Sequence, residues 1–402
     1  MILTQCSFCA VDLGLTLGKK CGRCSTRYCG AACQVQHWKE GGHDQLCKKI
    51  KKAGGAECQK QHWEQGGHDQ LCKKIKKAGG AEQYNANKKY AEAVGAAAEA
   101  CADDVKGQTC YICTQALHWK TKEGLVRGCS CRGTAGFAHV SCLAEQAKIL
   151  IAEAVENNLF DKANEQWLRW HTCSLCEQDY HGVVRCALGW ACWKTYVGRP
   201  ETDSYRCCAM GGLGQGLESA GHYEDALTVR EALLSTERRV GASEESILVT
   251  RGGLANTYSA LKRDEEALSM RQGIYSAYLE LYGEDHGETL RAANNYASTL
   301  LDLGRLKEAR SLLRKTISAA QRVLGEGHRL ALKMRWNYAK ALYKDDGATL
   351  DDLREAVGML EDTVRTGRRV FGGAHPITKG IEFHLRKARA ALRARETPPR
   401  SA

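Results

Sequence analysis

Apolar residues recur at helical spacing through the second half of the chain, and a longer repeat is superimposed on them. Leu254, Tyr258 and Leu261 share one helix face, and a second apolar segment begins near Ala267 after a polar turn. Small residues recur at intervals of 41 or 42 residues until an insertion near residues 345–349, namely Ala226, Ala267 and Ala309, and Gly241, Gly283, Gly325 and Gly372. The pattern predicts an α-solenoid of two-helix repeats over residues 205–392.

The small residues of each unit have predicted structural roles. The alanine lets neighbouring helices approach closely, and the glycine adopts the left-handed conformation that ends the second helix. A histidine follows three of the glycines, at His286, His328 and His375. We interpret these histidines as helix starts rather than metal ligands, because they lie in separate units.

The repeat units resemble the tetratricopeptide repeats of kinesin light chains, in Asn294-Asn295-Tyr296-Ala297, Leu303-Gly304-Arg305-Leu306-Lys307-Glu308-Ala309 and Leu324-Gly325-Glu326-Gly327-His328. This resemblance implies that the first helix of each unit lines an inner face that binds extended peptides. Asn295 and Asn337 occupy equivalent inner positions, and the resemblance implies that they hydrogen-bond a peptide backbone. A plain role on the helix surface is equally open for both.

Cysteines are concentrated in the first half of the chain. Of 21 cysteines, 14 fall into regular clusters before residue 177, and none follows Cys208. The N-terminus lacks the charged and apolar segments of a secretory signal, so we expect a cytoplasmic or nuclear protein. In a reducing compartment such clusters indicate metal sites rather than disulfides.

Residues 6–47 supply eight zinc ligands in 42 residues, enough for two tetrahedral sites: Cys6, Cys9, Cys21, Cys24, Cys29, Cys33, His43 and Cys47. The Cys-x2-Cys pairs suit knuckle turns, whereas Cys29/Cys33 and His43/Cys47 have one-turn helical spacing. His37 is a rival ligand one turn after Cys33, but we interpret it, with Trp38, as helix packing.

The order and spacing of this module resemble the MYND zinc finger, notably in Tyr28-Cys29-Gly30 and Cys33-Gln34-Val35-Gln36-His37-Trp38. The resemblance implies interleaved sites, with one ion on Cys6, Cys9, Cys29 and Cys33 and the other on Cys21, Cys24, His43 and Cys47. It also implies a peptide-binding module without catalytic chemistry, because zinc with four protein ligands has no position for substrate.

Residues 58–82 repeat residues 33–57 without a gap. The copy keeps Cys58, His68 and Cys72 but has no preceding Cys-x2-Cys pairs, so it cannot complete two sites of its own. We interpret it as a duplication that extends the helical end of the module. Two alternatives stay open: exchange of His68 and Cys72 with His43 and Cys47, and an artefact in the coding sequence.

A second set of eight ligands follows an alanine-rich helical spacer: Cys110, Cys113, Cys129, Cys131, His139, Cys142, Cys173 and Cys176. The gap before the last pair carries apolar residues at helical spacing and predicts an inserted helix, with Leu143, Ala147, Leu150, Ile151 and Val155 on one face. Four later cysteines lack a second ligand set, and we interpret them as structural thiols: Cys186, Cys192, Cys207 and Cys208.

This second module resembles the RING-CH (RING-variant) finger, notably in Cys129-Ser130-Cys131-Arg132-Gly133 and His139-Val140-Ser141-Cys142-Leu143. The resemblance implies cross-braced sites, with Cys110, Cys113, His139 and Cys142 on one zinc and Cys129, Cys131, Cys173 and Cys176 on the other. It also implies a ubiquitin ligase that holds a ubiquitin-conjugating enzyme and acts by orientation alone. Ile112 matches the apolar residue that touches that enzyme.

The module departs from the ligase pattern at other positions. The segment after Cys142 contains no tryptophan, and the last cysteine pair encloses Ser174-Leu175 instead of a proline. Trp167 and Trp170 could rebuild a groove wall, although we interpret them as core residues. The departures put the groove for a conjugating enzyme in doubt.

The net charge of the chain does not alter the kind of partner that we expect. The formal net charge of +11 assumes neutral thiols, and fourteen thiolates on about four Zn²⁺ would reduce it to roughly +5. The remaining lysine runs, at residues 48–52 and 73–77, are typical of solvated helix faces, so we expect protein or peptide partners and no nucleic acid. No apolar stretch long enough for a membrane span is present.

The predicted fold is mainly α, with two small zinc-stabilised modules followed by an α-solenoid of helix-turn-helix repeats. The predicted segments are a MYND-type finger (6–47), a partial duplicate (48–82), a helical spacer (83–107), a RING-CH-like finger (108–182), a helical connector (183–204), tetratricopeptide-type repeats (205–392) and a disordered tail (393–402). No nucleotide-binding loop or nucleophile elbow is present. We expect a zinc-binding interaction scaffold, with a ubiquitin ligase as the alternative.

Overall fold

The structure, a computed structural model, describes residues 74–396 and four residues before them. Those four form two short antiparallel strands, β1 (Lys19–Lys20) and β2 (Arg27–Tyr28), with Lys19 opposite Tyr28. The eight ligands predicted for the first finger and the rival His37 lie outside the described residues, as do Cys58, His68 and Cys72 of the duplicate.

From residue 81 to the start of the repeats there are four α-helices and one 3-10 turn: α1 (Ala81–Ala100), α2 (Val140–Glu156), α3 (Phe160–Trp167), the 3-10 turn (Leu168–Trp170) and α4 (Gly182–Tyr196). Helix α1 covers much of the segment predicted as a helical spacer, and α2 is the helix predicted between Cys142 and Cys173. The gap also holds α3 and the 3-10 turn, which the sequence analysis did not separate.

Nine further helices form the repeat array: α5 (Ser204–Ser219), α6 (Tyr223–Val240), α7 (Glu244–Ala260), α8 (Asp264–Tyr282), α9 (Gly287–Asp302), α10 (Leu306–Leu324), α11 (Arg329–Tyr343), α12 (Leu350–Phe371) and α13 (Pro376–Glu396). Each helix contacts the next one along the chain. The mainly α architecture with helix-pair repeats is therefore confirmed.

Glycines and histidines lie at the helix ends and starts of the repeats, although only Gly241 has the left-handed helical conformation predicted for all four glycines. The glycines at the ends of α6, α8, α10 and α12 all have φ between 69° and 87°, a region that other residues adopt at a cost: Gly241, Gly283, Gly325 and Gly372. His286, His328 and His375 each accept a hydrogen bond through Nδ1 from a backbone N–H two residues later. These histidines therefore cap the starts of α9, α11 and α13.

The repeats are held together by an apolar core that runs along the array. Leu290, Leu313, Met334, Leu360 and Ile381 come from five successive helices, and their side chains are fully buried in one cluster. The alanines of the repeat pattern, including Ala226, Ala267 and Ala309, are also fully buried. Because these side chains are small, neighbouring helices can pack closely at the alanine positions, as the repeat pattern predicts.

Helix α4 joins the region before the repeats to the array. A Cβ on Gly216 of α5 would lie 2.9 Å from the carbonyl oxygen of Arg185 on α4, so α5 needs glycine for this close approach. On the other side, Gln83 of α1 donates from Nε2 to the carbonyl of Lys194. The predicted connector is therefore an integral layer between α1 and α5.

The first helices of successive repeats form the inner face of the array. Helix α9 contacts α11, and α11 contacts α13, more extensively than the second helices α10 and α12 contact each other. In a curved array, the helices that approach one another more closely lie on the concave side. Helices α9, α11 and α13 therefore line the inner surface.

The C-terminal boundary differs from the sequence prediction. Residues 393–396 were expected to begin a disordered tail, but α13 continues to Glu396. Arg395 explains the extra turn, because its guanidinium donates to the backbone carbonyls of Asp346 and Ala348. Among the described residues, none of the helices combines the length and apolar character needed to cross a membrane.

Candidate zinc centres

Two groups of four potential zinc ligands form in the second module. The first group is Cys110, Cys113, His139 and Cys142, and the second is Cys129, Cys131, Cys173 and Cys176. Within each group one ligand atom per residue lies within 4.8 Å of the others. These groups have the same membership as the two cross-braced sets that the RING-CH resemblance implies.

Distances between the ligand atoms match a tetrahedral zinc site. A tetrahedron with Zn–S of about 2.3 Å and Zn–N of about 2.0 Å places sulfurs about 3.8 Å apart and sulfur and nitrogen about 3.5 Å apart. The Sγ atoms of Cys131 and Cys173 are 3.8 Å apart. His139 Nδ1 lies 3.3 Å from Cys113 Sγ and 3.6 Å from Cys142 Sγ. The donor set and its spacing therefore fit zinc.

His139 is oriented for metal binding by its second nitrogen. Nε2 lies 3.4 Å from the carbonyl oxygen of Ala116. A proton on Nε2 donates to that carbonyl and leaves Nδ1 free as a ligand, an arrangement common around protein-bound zinc. Burial lowers the pKa of His139, which favours the neutral imidazole that a metal requires.

The two Cys-x2-Cys loops have matching backbone geometry. The Ile112 N–H points to Cys110 Sγ at 3.4 Å, and the Leu175 N–H points to Cys173 Sγ at the same distance. Thr114 and Glu177, which directly follow the second cysteine of each pair, have φ of 61° and 55°. Both loops thus form the tight turn that brings two sulfurs and a backbone N–H together.

A direct hydrogen bond links the two loops. The hydroxyl groups of Tyr111 and Ser174 are 3.1 Å apart. Because each hydroxyl belongs to a residue between the two cysteines of its pair, the two centres are held side by side. Ile112 and Leu175, which follow these residues, have exposed fractions of 37% and 51%.

Gly136 leaves room for the sulfurs of the second group. A Cβ there would lie 2.6 Å from Cys131 Cβ and 3.1 Å from Cys129 Sγ, and its φ of 84° also favours glycine. The loop can therefore approach both cysteines only with glycine at this position.

The thiols of the two groups do not all shift in one direction: although burial opposes it, backbone hydrogen bonds lower the pKa of Cys110 and Cys176. Burial, with added contributions from neighbouring thiols, raises the pKa of Cys131 and Cys142. Without a cation these sulfurs keep their protons, whereas zinc binds thiolates and displaces them. A group of four inward-facing sulfur and nitrogen atoms in an apolar core is stabilised when a dication occupies its centre.

Two partner-binding residues predicted on the repeats have different environments. Asn295 on α9 is exposed on the inner face. Asn337 on α11 is buried, with an exposed fraction of 9%, and its Nδ2 donates to Oδ1 of Asn294 at 3.1 Å. Its amide connects α11 to α9 and is not an accessible contact for a peptide, contrary to the expectation. Asn295 and Asn337 occupy equivalent positions in the repeat pattern, so the sequence alone did not show that one is exposed and the other buried.

Several residues that shape the zinc centres are not identified by the ligand pattern of the sequence. Ala116 acts through its backbone carbonyl, which no side-chain pattern reveals. His118 is buried and packs edge-on against the His139 ring at 5.3 Å, while its Nδ1 accepts from the backbone of Thr121. Trp170 is buried beside Tyr196, in agreement with its interpretation as a core residue.

Comparison with known families identifies two of the three modules. The family model for the MYND finger matches residues 6–47, and the family model for the tetratricopeptide repeat matches residues 245–322. The chain thus contains a MYND finger, a zinc-binding module, and tetratricopeptide repeats, and both are modules of protein–protein interaction. Neither match covers residues 108–182. No curated protein matches the chain.

Solved structures of repeat proteins show limited similarity. The TPR-like repeats of a Podosopora anserina protein assigned as a kinesin light chain are 20% identical, with a TM-score of 0.42, covering 48% of this chain and 88% of theirs. BtubC (BKLC) from P. vanneervenii is 15% identical, with a TM-score of 0.36, covering 65% of this chain and 96% of its own.

Proposed function

We propose that this protein is a zinc-binding scaffold that holds partner proteins on two surfaces, the MYND finger and the inner face of the repeats. The observation that carries the proposal is the pair of closed four-ligand groups in residues 108–182, beside a helical array with an accessible inner face. Zinc with four protein ligands has no open position for substrate, so such centres stabilise structure. The proposed role of this protein is therefore to bind partner proteins rather than to catalyse a reaction at its zinc centres.

The proposal includes about four structural zinc ions per chain. Two are assigned to the two ligand groups of the second module, whose spacing supports them. Two more are assigned to the MYND finger, on Cys6, Cys9, Cys29 and Cys33, and on Cys21, Cys24, His43 and Cys47. The assignment in the finger rests on its family resemblance and on ligand spacing.

The repeats bind extended segments of partner proteins in this proposal. Asn295 lies on the inner face with its amide available to a peptide backbone. A test is site-specific photocrosslinking in the full chain, with a crosslinking residue at position 295 on α9 or at position 318 on α10, where Ser318 is exposed on a second helix.

Peptides from a random display library should crosslink at position 295 in preference to position 318. Equal crosslinking at both positions, or none at either, would contradict the assignment of the inner face as a binding surface.

A ubiquitin ligase is the second candidate, because one observation favours it. Ile112 and Leu175 are exposed on two adjacent zinc loops that the Tyr111–Ser174 hydrogen bond ties together. Two apolar side chains on neighbouring rigid loops form a small platform on which a conjugating enzyme could dock. Two features weigh against a complete groove: Leu143 is buried, and Trp170 is a core residue.

The two candidates are separated by an autoubiquitination assay with a panel of conjugating enzymes. Activity in the parent that Ile112→Ala abolishes would establish the ligase. The matched control is Ile149→Ala, another exposed isoleucine on α2 of the same module, which should leave the activity unchanged. Absence of activity across the panel leaves the scaffold as the function.

A further inference from the structure

Two neighbouring apolar side chains are left in water on the second module. Trp119 and Leu117 have exposed fractions of 68% and 59%, and Trp119 is the most exposed large apolar side chain within residues 74–396. Neither residue belongs to a ligand group or to the apolar core of the module. Exposed apolar side chains that lie together indicate a surface that another molecule covers.

The residue between them, His118, is buried and fixes the local backbone. Its Nδ1 accepts a hydrogen bond from the Thr121 N–H at 3.1 Å, and the Thr121 hydroxyl lies 2.8 Å from the same nitrogen. The His118 N–H donates to the carbonyl of Glu123 at 3.0 Å, and the Lys122 N–H donates to the carbonyl of His118 at 2.9 Å. These bonds close a tight turn over residues 117–122, which we call the 117–122 turn.

The turn is anchored to the first ligand group. The His118 ring packs edge-on against the ring of His139, with 5.3 Å between their centres, and the carbonyl oxygen of Ala116 lies 3.4 Å from His139 Nε2. Because His118 is buried, the side chains of Leu117 and Trp119 on either side of it are the ones that face solvent. A turn that is already held in place loses little conformational entropy when it binds.

Unpaired positive charge lies beside the apolar pair. Lys120 and Lys122 are exposed, and neither forms an ion pair within residues 74–396. No carboxylate occurs between residues 105 and 122. The next one, Glu123, is held at the start of α2, where its two oxygens accept hydrogen bonds from the backbone N–H and the hydroxyl of Ser141 at 2.7 and 2.9 Å. The turn therefore presents tryptophan, leucine and two free lysines together.

This combination suits the surface of a lipid bilayer. Tryptophan favours the interface between lipid headgroups and acyl chains, apolar side chains enter that interface, and lysines are attracted by anionic lipids. A protein partner fits less well, because two apolar side chains supply far less than the roughly 800 Å² per partner that a stable protein interface buries. A bilayer has no fixed shape that the turn would have to match.

We infer that the 117–122 turn is a contact site for anionic lipid surfaces. Trp119 and Leu117 enter the headgroup region, and Lys120 and Lys122 pair with the negative charges of the lipid headgroups. Such a contact lies on the bilayer and needs no helix that spans it. The inference goes beyond the proposed function, since neither the scaffold nor the ligase requires a membrane.

Flotation of the purified full chain with lipid vesicles tests this inference. The probes are vesicles of phosphatidylcholine alone and vesicles of phosphatidylcholine with phosphatidylserine. The variant Leu117→Ala/Trp119→Ala removes the apolar pair. The matched control is Leu159→Ala/Phe160→Ala, which removes another exposed apolar pair of the same module, next to Asp161.

A second variant, Lys120→Gln/Lys122→Asn, removes the charge of the turn. Asparagine is chosen at position 122 because it tolerates the φ of 60° that Lys122 has. Circular dichroism and the zinc content of each variant should equal those of the parent, because all the changed side chains are exposed.

The parent and the control should bind the vesicles that contain phosphatidylserine and should not bind phosphatidylcholine alone. Loss of the apolar pair should weaken binding roughly tenfold or more. Loss of the two lysines should weaken it several-fold, and added salt should weaken binding of the parent. Equal binding by the parent and the variant without the apolar pair would overturn the inference.

Brominated lipids locate the contact directly, because bromine on the acyl chains quenches a tryptophan that touches them. The conservative variant Trp119→Leu keeps an apolar side chain and removes this one fluorophore. The bound parent should therefore lose a part of its emission that bound Trp119→Leu does not lose. Equal quenching in both would show that other parts of the chain bind the lipid. No binding at any lipid composition would also overturn the inference and would leave the turn as a surface for a protein.

Discussion

The second zinc module and the repeat array each have a buried apolar core, but different interactions stabilise the two cores. In residues 108–182, Cys110, Cys129, Cys142 and Cys173 lie buried within the apolar core itself. In α9 to α13, the buried core consists mainly of aliphatic side chains and alanines contributed by each of these helices. The module depends on a few ligands at unique positions, whereas the array distributes its stability over many equivalent contacts.

This difference predicts unequal responses to single changes. Removing one ligand from a zinc centre removes a binding energy that is also folding energy. Removing one leucine from the array removes one of many similar contacts, and the neighbouring repeats keep theirs. The loss of stability caused by single substitutions in each region therefore tests this difference directly.

The largest effect is expected for Cys142→Ser. Loss of this ligand should forfeit much of the roughly 10–16 kcal/mol that a structural zinc contributes. Limited proteolysis should then cut within residues 108–182 while α7 to α13 stay resistant. The control is Cys208→Ser, which changes a cysteine that belongs to neither ligand group. Simultaneous cleavage throughout the array would show that the two regions are not separately stabilised.

A smaller effect is expected for Leu313→Ala in the array core. This side chain of α10 is fully buried, and its truncation should lower the free energy of unfolding by about 2–5 kcal/mol. Val323→Ala on the same helix removes an exposed side chain and should cost much less. Urea unfolding followed by circular dichroism measures both, and equal losses would argue against the core assigned to α10.

Gly253→Ala should cost about 1–3 kcal/mol, because a Cβ at this position would overlap Nη1 of Arg230. Arg230 is buried, and its Nη2 donates to Glu218 at 2.8 Å, so displacing it breaks a buried ion pair. At Gly252 a Cβ meets nothing within 4 Å. Gly252→Ala should therefore stabilise α7 by up to about 1 kcal/mol. A stabilised Gly253→Ala variant in urea unfolding would contradict the observed packing.

The smallest effect concerns pH. Burial lowers the pKa of His384 to about 4 in the folded chain, whereas an unfolded histidine titrates near 6.5. Unfolding therefore takes up a proton below pH 6.5, and stability should fall as pH drops from 6.5 towards 4.

The pH-dependent loss at His384 should be about 1–2 kcal/mol, allowing for solvent screening. Urea unfolding at several pH values should show a weaker pH dependence in His384→Gln than in the parent. The same slope in both proteins would mean that other groups are responsible.

Repetition explains why the array could be predicted from the sequence in detail. Gly241 and its equivalents identified four helix ends, and His286, His328 and His375 identified three helix starts, because each role recurs in the same place in every unit. The amide of Asn337 could not be assigned this way, since its hydrogen bond to Asn294 depends on how α11 packs against α9.

The zinc module was predictable for a different reason. Ligand chemistry restricts the centres to cysteine and histidine, so spacing and family resemblance were enough to propose the two groups of four. The features that complete each centre act through the backbone or through shape: the carbonyl of Ala116, the turn conformations of Thr114 and Glu177, and the absence of a side chain at Gly136. Sequence patterns carry no signal for such features.

Native mass spectrometry of the purified full chain tests the central claim most directly, by counting bound zinc. We predict about four zinc ions in the parent and about two in the variant Cys110→Ser/Cys173→Ser, which disables both groups of the second module. About two zinc ions in the parent, with no change in the variant, would contradict the account, because the clustered cysteines of residues 108–182 would then hold no metal.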